Sequence, residues 1–323
     1  MNESRHLGVS TSPRRSRPAG VLVLGMHRSG TSVVTGVLDA LGLDGGDPTT
    51  MFGADEFNSD GYWEQQPIVE LHDRLLRELR GFASAPPDPA SSIPGTVVHG
   101  ATADIDAFLS QFTGPWFVKD PRQCLLMRAW EPSLGPDDVA VVVHRDPNHV
   151  VRSLRHRNGY SQDLAAGLWE IYTSSLLRAL DGRTCLFVEY DELLDRPAEV
   201  IDELAAGLAS TVLAGPTGAA GTIPAERLSA ARGLVRPRNR ASSSTATPVT
   251  ESLRPEQVRL HDVVRGLRGL HEPFVTPPLP SLAPAGLRAT ARRRRRLRVA
   301  DSILRRGATG RAKLDRRARF VAR

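Results

Sequence analysis

Long apolar runs are missing from this 323-residue chain. No stretch approaches the roughly 20 apolar residues that a membrane-crossing helix needs. Segment 1–20 is polar, charged and proline-containing, without the apolar centre of a secretory signal. A transmembrane protein and a Sec-exported one are therefore not expected. Cysteine is scarce as well: Cys124 and Cys185 stand far apart and in no CxxC pair, which argues against a disulfide framework or a zinc module. The expectation is two reduced, buried thiols in a cytoplasmic protein. His144 and His149 lack metal-ligand spacing and no HExxH occurs, so no metal is required. Lysine is nearly absent: Lys119 and Lys313 stand against 40 arginines, which leaves Lys119 as the single lysine in the body of the chain.

What is present is an ordinary globular composition, 40% hydrophobic and 24% charged, with an uneven distribution of charge. Segment 288–323 holds 15 of the 42 Lys+Arg and 2 of the 36 Asp+Glu, a net of +13 against −7 for the rest. The tail thus accounts for the basic balance. One reading is a solvated, partly helical arm. The other is a basic amphipathic helix on which Leu297, Ala300 and Leu304 share a face and the arginines meet an anionic membrane or polyanion. Phe320 is its one aromatic, so base stacking is poorly supported and no specific nucleic-acid partner is expected.

The pattern along the chain alternates strands with helices. Val21-Leu22-Val23-Leu24 is a short buried strand, and the turn Gly25-Met26-His27-Arg28-Ser29-Gly30 leads into a helix over Thr31–Leu41 with Gly42 as its C-cap. Strands follow at Trp116–Lys119, Val139–His144 and Cys185-Leu186-Phe187-Val188, and helices from Pro147 and over 162–180. The fold class is α/β, a three-layer α/β/α arrangement with a central parallel sheet and a P-loop-like turn. Segment 83–95 reads as a surface loop or lid and 213–248 as loop-rich, and Pro277, Pro278 and Pro280 mark the end of the folded body. The expected organisation is a disordered N-terminus over 1–19, a catalytic domain over 20–276, and a proline-rich linker with an arginine-rich tail over 277–323.

Gly25 to Ser32 has GxxxxG spacing at a strand-to-helix turn, where backbone N–H groups and the helix N-terminus favour an anion. A nucleoside triphosphatase carries lysine next; here Thr31 stands in that place. Arg28 and His27 lie inside the loop instead and suit a smaller diester-like anion.

In this setting the loop resembles the 5′-phosphosulfate loop of the sulfotransferase family, whose donor is 3′-phosphoadenosine 5′-phosphosulfate (PAPS). Val118-Lys119-Asp120-Pro121-Arg122 resembles the family's strand-end lysine motif. Arg145 and Ser153, eight residues apart, resemble its 3′-phosphate motif. Val188-Glu189-Tyr190-Asp191-Glu192 resembles a late tyrosine-acidic segment, and Asn58-Ser59-Asp60-Gly61-Tyr62-Trp63-Glu64 a signature of bacterial members. The motifs fall in the family's order within 21–208; beyond, Arg236-Pro237-Arg238-Asn239-Arg240 resembles a late basic donor loop only weakly.

The resemblance implies donor contacts at Gly25, His27, Arg28, Ser29, Gly30, Thr31, Ser32, Arg145, Ser153 and Tyr190. It further implies Lys119 and Arg28 at the leaving oxygen and Glu64 as general base toward a carbohydrate, glycolipid or small-molecule hydroxyl. Plainer readings exist for several of these residues: Ser153 as a helix-surface serine, Lys119 as the structural partner of Asp120 or another acid, Trp169 and Tyr172 as packing. The cytosolic branch of the family uses a histidine two residues after its lysine, where this chain has Pro121, which argues against that mechanism; His72, eight residues after Glu64 on a helix with Leu71 and Leu75, is the reserve base and has the plainer reading of a partly exposed helix histidine. Two other functions compete: an ATP-dependent small-molecule kinase with a degenerate loop, and a non-catalytic binder of polyanions or of the inner membrane surface through the tail.

Overall fold

The computed structural model describes residues 17–53, 61–214, 219–236 and 253–301. Asn58, Ser59 and Asp60, the basic stretch from Pro237 to Arg240, and Leu304 with the chain beyond it lie outside the described residues. Five strands, β1 (Gly20–Leu24), β2 (Trp116–Lys119), β3 (Val139–His144), β4 (Cys185–Glu189) and β5 (Gly269–His271), form one sheet in the order β2-β1-β3-β4-β5. The first four are parallel. β5 runs antiparallel to β4 at the edge, a departure from the wholly parallel sheet expected.

The strands are apolar on both faces because both faces are covered. Side chains alternate: Leu22, Leu24, Trp116, Val118, Ala140 and Val142 enter one core, and Val21, Val23, Phe117, Val139, Val141 and Val143 the other. The first core is closed by α2 (Gln66–Glu78), α3 (Gly95–Leu109), α4 (Gln123–Trp130), α5 (Pro147–Asn158), α6 (Gln162–Ala179) and α10 (Pro255–Arg265). The second is closed by α1 (Thr31–Leu41), α7 (Tyr190–Asp195), α8 (Pro197–Ser210) and α9 (Ala225–Leu234). The result is a three-layer α/β/α fold.

The strand order places the site. From β1 the chain crosses to β2 on one side, and from β3 it continues to β4 on the other. The loops after β1 and β3 therefore part company, leaving a crevice at the strands' C-terminal ends, where open α/β sheets bind ligands. Residues 25–30 and Arg145 stand there.

The chain beyond the three prolines stays with the body. Residues 284–301 form a helix, α11, which meets α6 so closely that a Cβ on Gly286 would lie 2.7 Å from Gly167 Cα. Ala283 N–H, just before the helix, donates to Glu170 Oε1 (2.7 Å), and Gln257 Nε2 donates to Glu170 Oε2 (3.0 Å). Leu297 is half-buried on the side of α11 that carries the buried Gly286 and Thr290, whereas Ala300 is exposed and Leu304 lies outside the described residues. Arg288, Arg292, Arg295 and Arg296 project on the opposite, exposed side. Both cysteines are buried free thiols, and no described helix is long and apolar enough to cross a membrane.

Candidate active site

The turn after β1 is shaped by backbone geometry. Gly30 sits in the left-handed region (φ 92°) as the N-cap of α1, and a side chain there would run into the Tyr190 ring. α1 starts without a side-chain cap, so its first-turn N–H groups face the loop's mouth. Gly25 N–H donates to Cys124 Sγ (3.2 Å), and burial pushes that thiol up to about 12, so it stays protonated as a fixed acceptor. Arg28 is also left-handed (φ 72°), an unusual state for a residue with a side chain. Its Nε donates to Ser153 Oγ on α5 (2.7 Å), and its carbonyl accepts from Arg145 Nη1 (3.3 Å). Two residues read separately from the sequence, Arg28 in one motif and Ser153 in another, are thus joined.

Arg145 is held on three sides. Its guanidinium lies over the Tyr190 ring, 4.9 Å from the centroid, and its Nε is 3.5 Å from Asp191 Oδ1. The strand-end position of Arg145 and the helix start at Tyr190 bring these groups together from adjacent strands, β3 and β4.

Opposite the loop, Lys119 at the end of β2 is buried, and its Nζ donates to Glu64 Oε1 (2.8 Å), to the Tyr62 carbonyl (2.7 Å) and to Ser32 Oγ in the loop (3.3 Å). Burial raises the Glu64 carboxyl above its ordinary value, and the Lys119 charge and hydrogen bond only partly oppose that rise. Of the structural pairings open to Lys119, the one with Asp120 is not formed and the one with another acid, Glu64, is. Asp120 instead accepts from Arg122 N–H (2.9 Å) and Arg122 Nη1 (3.0 Å) and is bonded to His72 Nδ1 (2.8 Å).

These groups border one cleft of about 590 Å³, a size that suits a nucleotide-sized ligand. Among the described residues its lining carries five cations, Arg28, Lys119, Arg122, Arg145 and Arg157, against one carboxylate, Glu64. Such a wall selects a polyanion. Of the residues read from sequence, His27, Arg28, Gly30, Thr31, Ser32, Glu64, Lys119, Arg145 and Tyr190 line it; Gly25, Ser29 and Ser153 do not, and Ser153 reaches it through Arg28. His27 enters uncharged at neutral pH, because burial and the nearby Arg122 push its imidazole down to about 3. The loop's cation is therefore Arg28 alone.

His72 takes no part in the cleft. It is fully buried, with Trp130 Nε1 donating to its Nε2 (2.9 Å) and Nδ1 spent on Asp120, so neither nitrogen reaches an acceptor. Tyr172 is core, as expected; its hydroxyl donates to the Ala83 carbonyl (2.8 Å) and its ring meets His27 edge-on at 5.7 Å. Sequence reasoning missed Arg157, Tyr160 and Phe52, all of which line the cleft, and so do Ala83 and Ser84 at the start of the segment read as a surface loop or lid. Arg157 had a signal, since it follows Ser153 by four residues and shares its helix face. The others reach the cleft from loops. Among the described residues, no group of three His, Cys, Asp or Glu side chains is arranged to hold a metal ion.

Fold and site together define an α/β protein with a phosphate loop lacking the nucleoside-triphosphatase lysine and a buried Lys–carboxylate pair facing it. No family model and no curated protein matches the chain. In structure it is similar to two sulfotransferase domains, the family its motifs resemble. The one from the olefin synthase of Synechococcus PCC 7002 is 17% identical, with 86% of this chain and 96% of that one covered and a TM-score of 0.40. The one from the curacin biosynthetic pathway is 14% identical, with 78% and 100% covered and a TM-score of 0.38. The functional reading below rests on the site's own residues.

Proposed function

We propose that the chain is a PAPS-dependent sulfotransferase acting on a hydroxyl of a carbohydrate, glycolipid or small-molecule acceptor. The observation that carries this reading is the position of Lys119, whose ammonium joins Ser32 of the phosphate loop to Glu64 across the cleft. A donor with two anionic ends needs two positive regions. The loop with Arg28 and Lys119 is one, and Arg145 is the other. In the reaction the acceptor oxygen forms a bond to sulfur while the bond from sulfur to the bridging phosphate oxygen breaks in line. Glu64 takes the acceptor's proton, and Lys119 and Arg28 stabilise the charge left on the phosphate oxygen. The products are the sulfate ester and 3′-phosphoadenosine 5′-phosphate. No step calls for a metal.

Calorimetric titration with 3′-phosphoadenosine 5′-phosphate, with Mg-ATP in parallel, tests the reading. The bisphosphate should bind the native chain and fail to bind Arg145→Ala. Binding of ATP without the bisphosphate would instead establish a kinase, which Thr31 in the lysine position disfavours. The arginines on the outer side of α11 support a second, separable property, contact with an anionic membrane or polyanion. Sedimentation with phosphatidylserine vesicles at low and high salt checks it: binding should fall with salt and fall further when Arg288, Arg292, Arg295 and Arg296 are all changed to Gln.

A further inference from the structure

The segment 61–64 crosses the cleft as a strap. Its backbone is bridged to the preceding loop, Tyr62 N–H donating to the Phe52 carbonyl (3.2 Å) and Phe52 N–H to the Glu64 carbonyl (3.0 Å). Between Tyr62 and Glu64 stands Trp63 in the left-handed region (φ 62°), preceded by Gly61 at φ 83°. A bulky residue in that region is strained and persists only where its surroundings impose it. The Trp63 ring packs edge-on against Phe117 of β2, with centroids 6.1 Å apart. The Tyr62 side chain is tied from the other wall: Arg157 Nη2 donates to Tyr62 Oη (2.7 Å), and the guanidinium lies over the same ring, 5.5 Å from its centroid. Arg157 follows Ser153 by one turn of α5, the helix that anchors Arg28.

We propose that Arg157 is a positioning residue: by clamping Tyr62 it holds the strap in the conformation that sets the Glu64 carboxylate against Lys119. This rests on the sulfotransferase reading for Glu64 as base. The clamp acts through Tyr62, whose own carbonyl accepts from Lys119 (2.7 Å) two residues before Glu64 accepts from the same ammonium (2.8 Å). Both ties end on one ammonium, so a shift of the strap is felt at both. A reactive group displaced by about 1 Å costs a large factor in rate, whereas a donor anchored on the loop and Arg145 is unaffected. The competing role for Arg157, given its place beside Ser153 in a cationic wall, is a direct contact to the donor's phosphate.

The experiment compares native chain, Arg157→Ala, Arg157→Lys, Tyr62→Phe and the Arg157→Ala/Tyr62→Phe double variant. The first readout is hydrogen exchange, which needs no activity. Arg157→Ala should speed exchange of peptides covering 52 and 61–65 about fivefold or more and leave the loop 25–32 unchanged. In the assay kcat should fall about tenfold to a hundredfold, with bisphosphate affinity unchanged and partial recovery in Arg157→Lys. The acid limb of the rate profile should move down toward the ordinary carboxylate range, because a loosened strap exposes Glu64 to water. The double variant should be no slower than Arg157→Ala. Unchanged exchange in the strap overturns the proposal, as does a large loss of bisphosphate affinity with kcat intact at saturating donor, which would make Arg157 a donor ligand. A native chain that binds no bisphosphate sinks the sulfotransferase reading and leaves the clamp to be judged by exchange alone.

Discussion

At the scale of single residues, the site turns on a carboxylate that burial makes harder to ionise. The Glu64 carboxyl is raised because it lies inside the cleft wall, and Lys119 restores only part of what desolvation takes away. The protonated form accepts no proton from the acceptor, so activity is present above this raised value and lost as pH falls through it. The acid limb of kcat/KM should therefore lie above the ordinary carboxylate range, and Glu64→Gln should remove the limb. The same variant should lower kcat by about 10²–10⁴ while leaving bisphosphate binding measurable by calorimetry. Lys119→Ala should do more harm, because it leaves a buried carboxylate unpaired as well as removing charge from the leaving oxygen. A pH-rate profile and a melting curve on both variants separate the two effects.

At the scale of the element, the turn between β1 and α1 is made by residues that tolerate close approach. Gly30 meets the Tyr190 ring where any side chain would collide, and its φ of 92° is itself costly for an L-residue. Gly30→Ala should lower stability by about 1–3 kcal/mol and abolish bisphosphate binding, since the loop and Tyr190 cannot both keep their places. Thermal unfolding with and without the bisphosphate reads both outcomes; an unaltered ligand-induced rise in Tm would overturn it. The strand–turn–helix and its glycine spacing were legible in the sequence, because an apolar run before the GxxxxG turn and a helical pattern after it mark the anion-binding setting that the spacing alone does not. The contact of Gly30 with Tyr190 was not, since 160 residues of chain separate them.

At the scale of the whole molecule, α11 is joined to the body by two tight features. Gly167 and Gly286 let the backbones of α6 and α11 touch, and the buried Glu170 gathers Ala283 N–H and Gln257. Glu170→Ala leaves both donors without a partner and should cost about 2–4 kcal/mol, seen as a lower Tm and as faster tryptic cleavage among the α11 arginines. α11 also reaches the cleft wall: Arg293 lies over Tyr160 (4.5 Å to the centroid) with its Nε donating to Ser84 Oγ (3.2 Å), and Arg294 Nη1 donates to the Pro86 carbonyl (2.7 Å). A tail truncation meant to separate catalysis from anion binding should thus remove 302–323 and spare α11. Cutting at Pro280 would also strip the outer support of Tyr160 and Ser84.

The sequence by itself determined the four parallel strands, their burial on both faces, the P-loop-like turn and the residues that flank it; it did not mark the antiparallel edge strand β5. Each depends on local pattern: continuous apolar runs, glycine spacing, and a lone lysine at a strand end. Tertiary structure decided what those residues do to one another. It paired Lys119 with Glu64 and withheld it from Asp120, sealed His72 between Asp120 and Trp130, neutralised His27 by burial, and packed the start of α11 against α6. These outcomes follow from which helix covers which face of the sheet and from the desolvation that results, and neither is written in the spacing of residues along the chain.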